Sequence, residues 1–184
     1  MNKLVPTLVL GGARSGKSAF AERLVSESGL ARVYVATATA GDDEMRDRIA
    51  RHRTQRGDGW RTVEEPLELV DCLAREAAPE RAVLVDCLTL GLSNLMHAGR
   101  DDEAEARKLA AWLPQAGGPI VLVSNEVGLG LVPDTPLGRH FRDAHGRLNQ
   151  RIAAAVESVV FITAGLPLRL KHPSPGAPAQ GSAF

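Results

Sequence analysis

The chain has 184 residues, 44% hydrophobic and 24% charged, with 22 Lys plus Arg against 22 Asp plus Glu for a formal net charge of zero. That length and balance fit one domain whose core needs neither disulfides nor structural metal, and they exclude disordered and fibrous chains. Neutrality argues against nucleic-acid binding through bulk charge, the two cysteines Cys72 and Cys87 form no CxxC pair and so suggest a reducing, cytoplasmic setting, and no apolar run reaches the roughly 18 residues of a membrane span.

Short β-branched runs recur along the chain: TLVL (7–10), RVYVAT (32–37), AVLVDCL (82–88), PIVLVSN (119–125) and SVVFIT (158–163). They are continuously apolar, as expected of strands buried on both faces. The segments between them carry helical periodicity, so the alternation predicts an α/β fold with a mostly parallel central sheet flanked by helices. The first helix is expected to start near Gly16 and to turn Phe20, Leu24 and Val25 inward. A second is expected from Asp42, where GDDEM supplies acids for the positive end of a helix dipole, and others over 66–77, 101–113 and 136–157. After SVVFIT the chain is expected to turn at Ala164-Gly165 and return as an antiparallel edge strand, where Pro167 is tolerated. Residues 1–171 thus read as a single nucleotide-binding catalytic domain, and 172–184, rich in Pro, Gly, Ala and Ser, as a flexible tail.

Gly11, Gly16, Lys17 and Ser18 match G-x-x-x-x-G-K-[ST] between an apolar strand and a helical pattern, the context this phosphate loop requires. In such a loop backbone N–H groups and a helix N-terminus surround a phosphate, Lys17 adds a point charge, and the Ser18 hydroxyl is placed to ligate Mg²⁺. Asp86, following AVLV, has the position of an acid that holds the Mg²⁺ shell; position alone equally fits a polar cap at a strand end. These features predict a P-loop NTPase, with a RecA-like sheet as the expected fold, without choosing between a kinase, a motor and a switch.

DDEMRDRIARHRTQRGDGW (42–60) is the more informative stretch. On a helix Met45, Ile49, His52 and Arg56 share a face, which suits a packed histidine. Arg46, Arg48, Arg51, Arg53 and Arg56 surround it, however, and nearby positive charge favours the neutral, nucleophilic imidazole while offsetting the charge of a phosphate under attack. The residues alone leave both readings open.

GGARSGKS (11–18), VATA (35–38), DDEM (42–45), the helix leading to His52, WRTVE (60–64), SNEVGLGLVP (124–133) and GRHFRDAHGRLNQRIA (138–153) together resemble the adenosylcobinamide kinase/adenosylcobinamide-phosphate guanylyltransferase family, from about Leu8 to Lys171. The NEVG and RHFRD blocks are far more specific than a phosphate loop. The resemblance implies phosphorylation of the aminopropanol hydroxyl of adenosylcobinamide with ATP or GTP, then transfer of GMP from GTP to that phosphate, giving adenosylcobinamide-GDP and pyrophosphate. It makes His52 the residue that carries the guanylyl group. It also implies nucleotide contacts at Gly11, Gly12, Ala13, Arg14, Ser15, Gly16, Lys17 and Ser18, at Ala36, Thr37 and Ala38, at Arg53, Thr54, Gln55 and Arg56, and at Glu64 and Asp86, with Mg²⁺ on Ser18 and Asp86. A homo-oligomer, typically a trimer, follows from the resemblance alone.

The chain departs from the family pattern at Arg51, where a second histidine can occur, and in RTQR (53–56), which replaces a Lys-Asp-Gly-Arg type of segment; Asp86 stands where a Glu is also found. Glu64 suits the N1 and N2 hydrogens of guanine, or is a surface acid beside Glu65. Asn125 and Glu126 follow a strand at the edge where open α/β sheets bind ligands; Glu126 either positions a nucleotide or substrate hydroxyl, or anchors its loop. The block from Arg139 to Arg151 is assigned to a subunit contact or to the corrinoid. Two other functions remain to be weighed: a plain small-molecule kinase with a structural His52, and a RecA-like nucleotide-dependent switch or motor.

Overall fold

The computed structural model describes residues 4–38 and 56–173. The helix expected from Asp42, His52 with Arg53, Thr54 and Gln55, and the tail beyond residue 173 lie outside the described residues. The elements run β1 (Thr7–Gly11), α1 (Lys17–Glu27), β2 (Ala31–Ala36), β3 (Trp60–Glu64), α2 (Leu69–Glu76), β4 (Arg81–Asp86), α3 (Leu88–His97), α4 (Asp102–Trp112), a single 3₁₀ turn (Leu113–Gln115), β5 (Ile120–Asn125), α5 (Pro136–Ala155), β6 (Ser158–Thr163) and β7 (Leu166–Lys171).

The strands form one seven-stranded sheet in the order β3-β2-β4-β5-β1-β6-β7. Every neighbouring pair is parallel except β6 and β7. The antiparallel return is made by Ala164 (φ 49°) and Gly165 (φ 78°), both in the left-handed region that a tight reversal requires. Pro167 sits on this outer strand, where its missing N–H costs no sheet bond.

Alternation along the inner strands splits the core into two layers. Leu8, Val33, Val35, Val83, Val85, Ile120 and Leu122 face α2 to α5 and pack with Leu73, Leu92, Leu109 and Ile152. Val9, Tyr34, Leu84, Val121, Val123 and Ile162 face the other way, onto Ala21 and Val25 of α1. Phe20 and Leu24 are partly buried against that second layer. Both faces are covered, which is why these strands read as continuous apolar runs rather than alternating ones.

Two elements were not expected from the sequence. WRTVE forms β3, the outer strand beside β2, with Val63 packed against one core layer and Trp60 against the other. The apolar run expected to continue to residue 88 stops at Asp86, and LTLGLSNLMH becomes α3. Thr89, Gly91, Ser93 and Asn94 are poor helix formers, so this helix depends on burial of Leu88 and Leu92. Thr135 caps α5 by accepting the Gly138 N–H at 3.1 Å, with Pro136 at the first helical position.

Candidate functional site

The parallel register brings the strand ends to one edge. Gly11 pairs with Asn125, Val123 with Asp86, Asp86 with Ala36, and Ala36 with Glu64. The phosphate loop, Asn125, Asp86, Ala36 and Glu64 therefore lie along the carboxyl edge, where open α/β sheets bind ligands.

The loop is built by backbone constraints. A Cβ on Gly11 would come within 2.5 Å of the Ile162 carbonyl oxygen, so β1 meets β6 too closely there for any side chain. Arg14 (φ 56°) and Gly16 (φ 96°) take left-handed conformations that aim the chain into α1. The Ser15 N–H donates to Gly12 O at 3.3 Å and the Lys17 ammonium donates to the same carbonyl at 3.0 Å, closing the loop on itself. The Gly165 N–H donates to Ser15 O at 2.9 Å, so the β6–β7 turn braces the loop from outside. The Ser15 hydroxyl is buried without a hydrogen-bond partner. Ala13 and Arg14 are exposed, and Ser18 occupies the second position of α1.

Beyond Asp86 a second group of side chains converges. The Tyr34 hydroxyl donates to the Asp86 carboxylate; burial first, and then that carboxylate, push the Tyr34 hydroxyl far above its usual range, so it stays a donor. The Arg56 guanidinium lies over the Tyr34 ring, 3.3 Å from its centroid. Glu22 of α1 is half-buried beside them, and burial, followed by repulsion from Asp86, pushes its carboxyl up to about 7, with Arg56 pulling the other way. Ser18 and Glu22 are four residues apart on α1 and so share a face. Glu22 and Tyr34 were missed from the sequence, where Tyr34 appeared only as part of an apolar strand run.

The other expected contacts divide. Ala36 and Ala38 are partly exposed at the end of β2. Thr37 is buried: its hydroxyl donates to Cys87 O at 2.7 Å and accepts from Cys87 N–H at 3.0 Å, and its carbonyl accepts from the Asn94 amide at 2.7 Å. That residue holds β2 to the β4–α3 junction. Glu64 is exposed at the end of β3, while Glu65 accepts the N–H groups of Leu67 and Glu68 at 3.1 and 2.9 Å and shapes the entry to α2.

Asn125 and Glu126 lie between the loop and Asp86, because β5 separates β1 from β4. The Glu126 N–H donates to Gly11 O at 3.0 Å, and one carboxylate oxygen of Glu126 accepts the Gly128 N–H at 2.7 Å. Beneath them is a buried polar network. Thr89 of α3 accepts the Asn125 N–H at 2.9 Å, and Asn149 of α5 donates to Asn125 O at 2.9 Å. Ser124 donates to the Asn149 side-chain oxygen at 2.7 Å, and His145 Nε2 lies 3.0 Å from the Thr89 hydroxyl and 3.3 Å from that of Ser124. His145 is fully buried and its pKa is lowered by burial, against a weaker pull upward from Glu126. Much of the Arg139–Arg151 block works within the fold: Arg147 and Arg151 pair with Glu103, and His140 with Asp102, both on α4.

Among the described residues no group of three or more His, Cys, Asp or Glu side chains is arranged for a metal, and no helix is long and apolar enough to cross a membrane. Solved structures that share the fold include a Pyrococcus horikoshii protein, PH0250 (TM-score 0.55, 12% identity, covering 92% of this chain and 88% of that one), and flagellar accessory protein FlaH of Methanocaldococcus jannaschii (TM-score 0.53, 12% identity, 91% and 78%). A type III secretion ATPase gives a TM-score of 0.54 at 11% identity, over 90% of this chain and 56% of that one. These establish a P-loop ATPase-like fold and nothing finer.

Sequence comparison goes further. The bifunctional adenosylcobalamin biosynthesis protein CobP of Pseudomonas aeruginosa is 54% identical over 168 residues, covering 89% of this chain and 96% of that protein. CobU of Escherichia coli, described in the same words, is 40% identical over 179 residues, covering 89% and 98%. The profile of cobinamide kinase / cobinamide phosphate guanyltransferase matches residues 7–170. The resemblance carried by the phosphate loop, the NEVG segment and the RHFRD block is thus borne out, and the chain belongs to the cobinamide kinase/cobinamide phosphate guanyltransferase family.

Proposed function

We propose that this protein phosphorylates the hydroxyl of adenosylcobinamide and then transfers GMP from GTP to the phosphate so formed, with His52 carrying the guanylyl group between donor and acceptor. In the first step the hydroxyl oxygen bonds to the γ-phosphorus and the nucleoside diphosphate leaves. In the second, an imidazole nitrogen of neutral His52 attacks the α-phosphorus, pyrophosphate departs, and an oxygen of the cobinamide phosphate displaces histidine from phosphorus.

The observation that carries this reading is the shared edge of the phosphate loop and Asp86, with Arg56 over the ring of Tyr34 next to Asp86, in a chain of this family. Arg56 ends the arginine-rich stretch, and the four residues of chain back to position 52 span at most about 14 Å when extended. The backbone N–H groups of Gly12 to Lys17 cradle the phosphates, Lys17 and Arg56 offset their charge, and Glu64 reads the guanine edge.

The donor chemistry fits Mg²⁺: a Ser18 hydroxyl at the start of α1 and an Asp86 carboxylate at the end of β4 are hard oxygen ligands, and two of them suit an ion that takes its remaining ligands from phosphate and water. Bound there, the ion would neutralise charge on the transferred phosphoryl or nucleotidyl group. The reading also includes ATP or GTP as phosphoryl donor, a cytoplasmic setting, no nucleic-acid partner and a homotrimeric assembly.

The test is incubation with Mg²⁺ and GTP labelled on the α-phosphate, followed by intact mass. An acid-labile GMP adduct on the wild type and none on His52→Ala is the expected result. An adduct that survives the substitution would remove His52 from the pathway. Phosphoryl transfer to cobinamide with no adduct under any condition would leave the plain kinase.

A further inference from the structure

We infer that Glu126 is the catalytic residue that accepts the proton of the substrate hydroxyl in the kinase step, and that Thr89 and Asn149 are positioning residues that hold it at the phosphate loop through the Asn125 peptide groups. The inference rests on the functional reading above.

Asn125 is held on both of its backbone groups by side chains from two different helices. Thr89 of α3 takes its N–H at 2.9 Å, and the Asn149 amide of α5 gives a hydrogen bond to its carbonyl at 2.9 Å. The next N–H, that of Glu126, is fixed to Gly11 O at 3.0 Å, at the first residue of the phosphate loop. Three consecutive backbone polar groups are thereby fixed at the point where β5 emerges between the phosphate loop and Asp86. A nucleotide whose phosphates rest in that loop directs its terminal phosphate toward this gap.

The clamp is itself well braced. Ser124 donates to Asn149, so its oxygen is left to accept from His145 Nε2–H, which also reaches Thr89. This leaves His145 Nδ1 to accept from the Asn149 amide at 3.4 Å, and one tautomer satisfies the whole set. Such a fully connected buried network fixes geometry more firmly than an apolar core would. Its outer end is the half-buried Glu126, one of whose carboxylate oxygens is tied to the Gly128 N–H, fixing the side chain's direction. Just beyond, Leu129, Leu131 and Val132 are 82%, 96% and 62% exposed, an apolar rim suited to a bulky acceptor.

The step balances without another reactant. The hydroxyl O–H bond breaks, its proton passes to Glu126, the oxygen bonds to the γ-phosphorus, and the bond to the β-phosphate breaks with its electrons leaving on the nucleoside diphosphate. The guanylyl step needs no such base, because its acceptor is already an anionic phosphate.

The experiment measures both steps separately, with cobinamide and with cobinamide phosphate as acceptors, for the full-length protein and for Glu126→Gln, Thr89→Val, Thr89→Ser and Asn149→Asp. Glu126→Gln is expected to lower the kinase kcat by roughly 100-fold, the lower end of general-base effects, with little change in nucleotide KM and a guanylyl rate within about threefold. Thr89→Val, which keeps shape and removes the hydroxyl, should show a step-specific loss of about tenfold, and Thr89→Ser should restore it. Asn149→Asp, which loses the amide donor, should resemble Thr89→Val, and combining Thr89→Val with Glu126→Gln should be no worse than Glu126→Gln alone. A Glu126→Gln protein with wild-type kinase kcat overturns the inference. So do variants of Thr89 and Asn149 that change thermal stability alone, or that lower both steps equally. A wild type that phosphorylates no cobinamide at all overturns the functional reading, and the inference with it.

Discussion

At the β1 end of the carboxyl edge the site is made of backbone: eight consecutive residues, Gly11 to Ser18, shaped by left-handed turns and braced by the β6–β7 hairpin. At the β4 end it is made of side chains, with Glu22 from α1, Tyr34 from β2, Asp86 from β4 and Arg56 from the stretch before β3. The first presents backbone dipoles that need no reorganisation, with Lys17 adding a point charge beside them. The second is a charged corner in which Asp86 and Arg56 act in opposite senses on the protonation of Glu22 and Tyr34. A phosphate cradle is fixed by conformation, and a charged corner by electrostatic balance, so the two should fail differently when altered.

The largest effect is expected at Gly11. A Cβ there meets the Ile162 carbonyl and the Ser15 hydroxyl, each at 2.5 Å, so Gly11→Ala must shift β6 or the loop. Overpacking of this kind costs about 1–3 kcal/mol, and a loop displaced by about 1 Å loses roughly 100-fold in function. Titration with a fluorescent GTP analogue should show that loss in affinity, with a lowered Tm in the same protein. Gly12→Ala, whose Cβ would meet nothing within 4 Å, should fold with unchanged Tm. Asp86→Asn comes next, at about 30-fold in turnover and an upward shift in the Mg²⁺ concentration giving half-maximal rate, while its remaining oxygen still accepts from Tyr34. An unchanged Mg²⁺ dependence would return Asp86 to the role of a strand-end cap.

This contrast also explains what the sequence disclosed. The phosphate loop is contiguous, so its chemistry and local geometry are written in adjacent residues, and the strands flanking it announce themselves as continuous apolar runs. Glu22 and Tyr34 acquire meaning only when β2 and β4 pair with Ala36 opposite Asp86, a contact between positions 50 residues apart. Thr89 was equally hidden, since it sits in a helix of weak formers that tertiary burial alone sustains, whereas Asn149 stood in the Arg139–Arg151 block assigned to a subunit contact or the corrinoid and not to the end of β5. The same distance from local pattern concealed β3, whose five residues, WRTVE, form no continuous apolar run. His52 was singled out by its arginines and by family resemblance together, and it lies outside the described residues.

Glu22 tests the electrostatic balance directly. Its carboxyl is pushed up to about 7 from an ordinary 4.5. The folded protein therefore holds a proton that the unfolded chain releases between those values, and stability falls as pH rises through that window. Glu22→Gln removes the titration. At pH 4.5 the variant should match the wild type, and at pH 8 it should be more stable, by on the order of 1 kcal/mol once solvent access to a half-buried group is allowed for, or about 2–4 °C in Tm. Thermal scans across pH 4.5–8 decide it. Parallel curves for the two proteins would show that Glu22 is not held in that balance.

The smallest effect separates the two contacts that Tyr34 makes. Its hydroxyl donates to Asp86, and its ring lies beneath Arg56. Tyr34→Phe deletes only the first; a single hydrogen bond to a charged group on a half-exposed carboxylate that water can reach should cost about 1 kcal/mol in stability and under threefold in either transfer step. Tyr34→Leu deletes both, and the lost cation–π contact adds about 0.5–2 kcal/mol. If Arg56 matters because it anchors the end of the His52 stretch, that second variant should slow GMP adduct formation while cobinamide phosphorylation changes far less. Equal slowing of both steps would mean that the ring supports the core of the corner, and that Arg56 is held in place by Glu22 and Asp86 rather than by stacking.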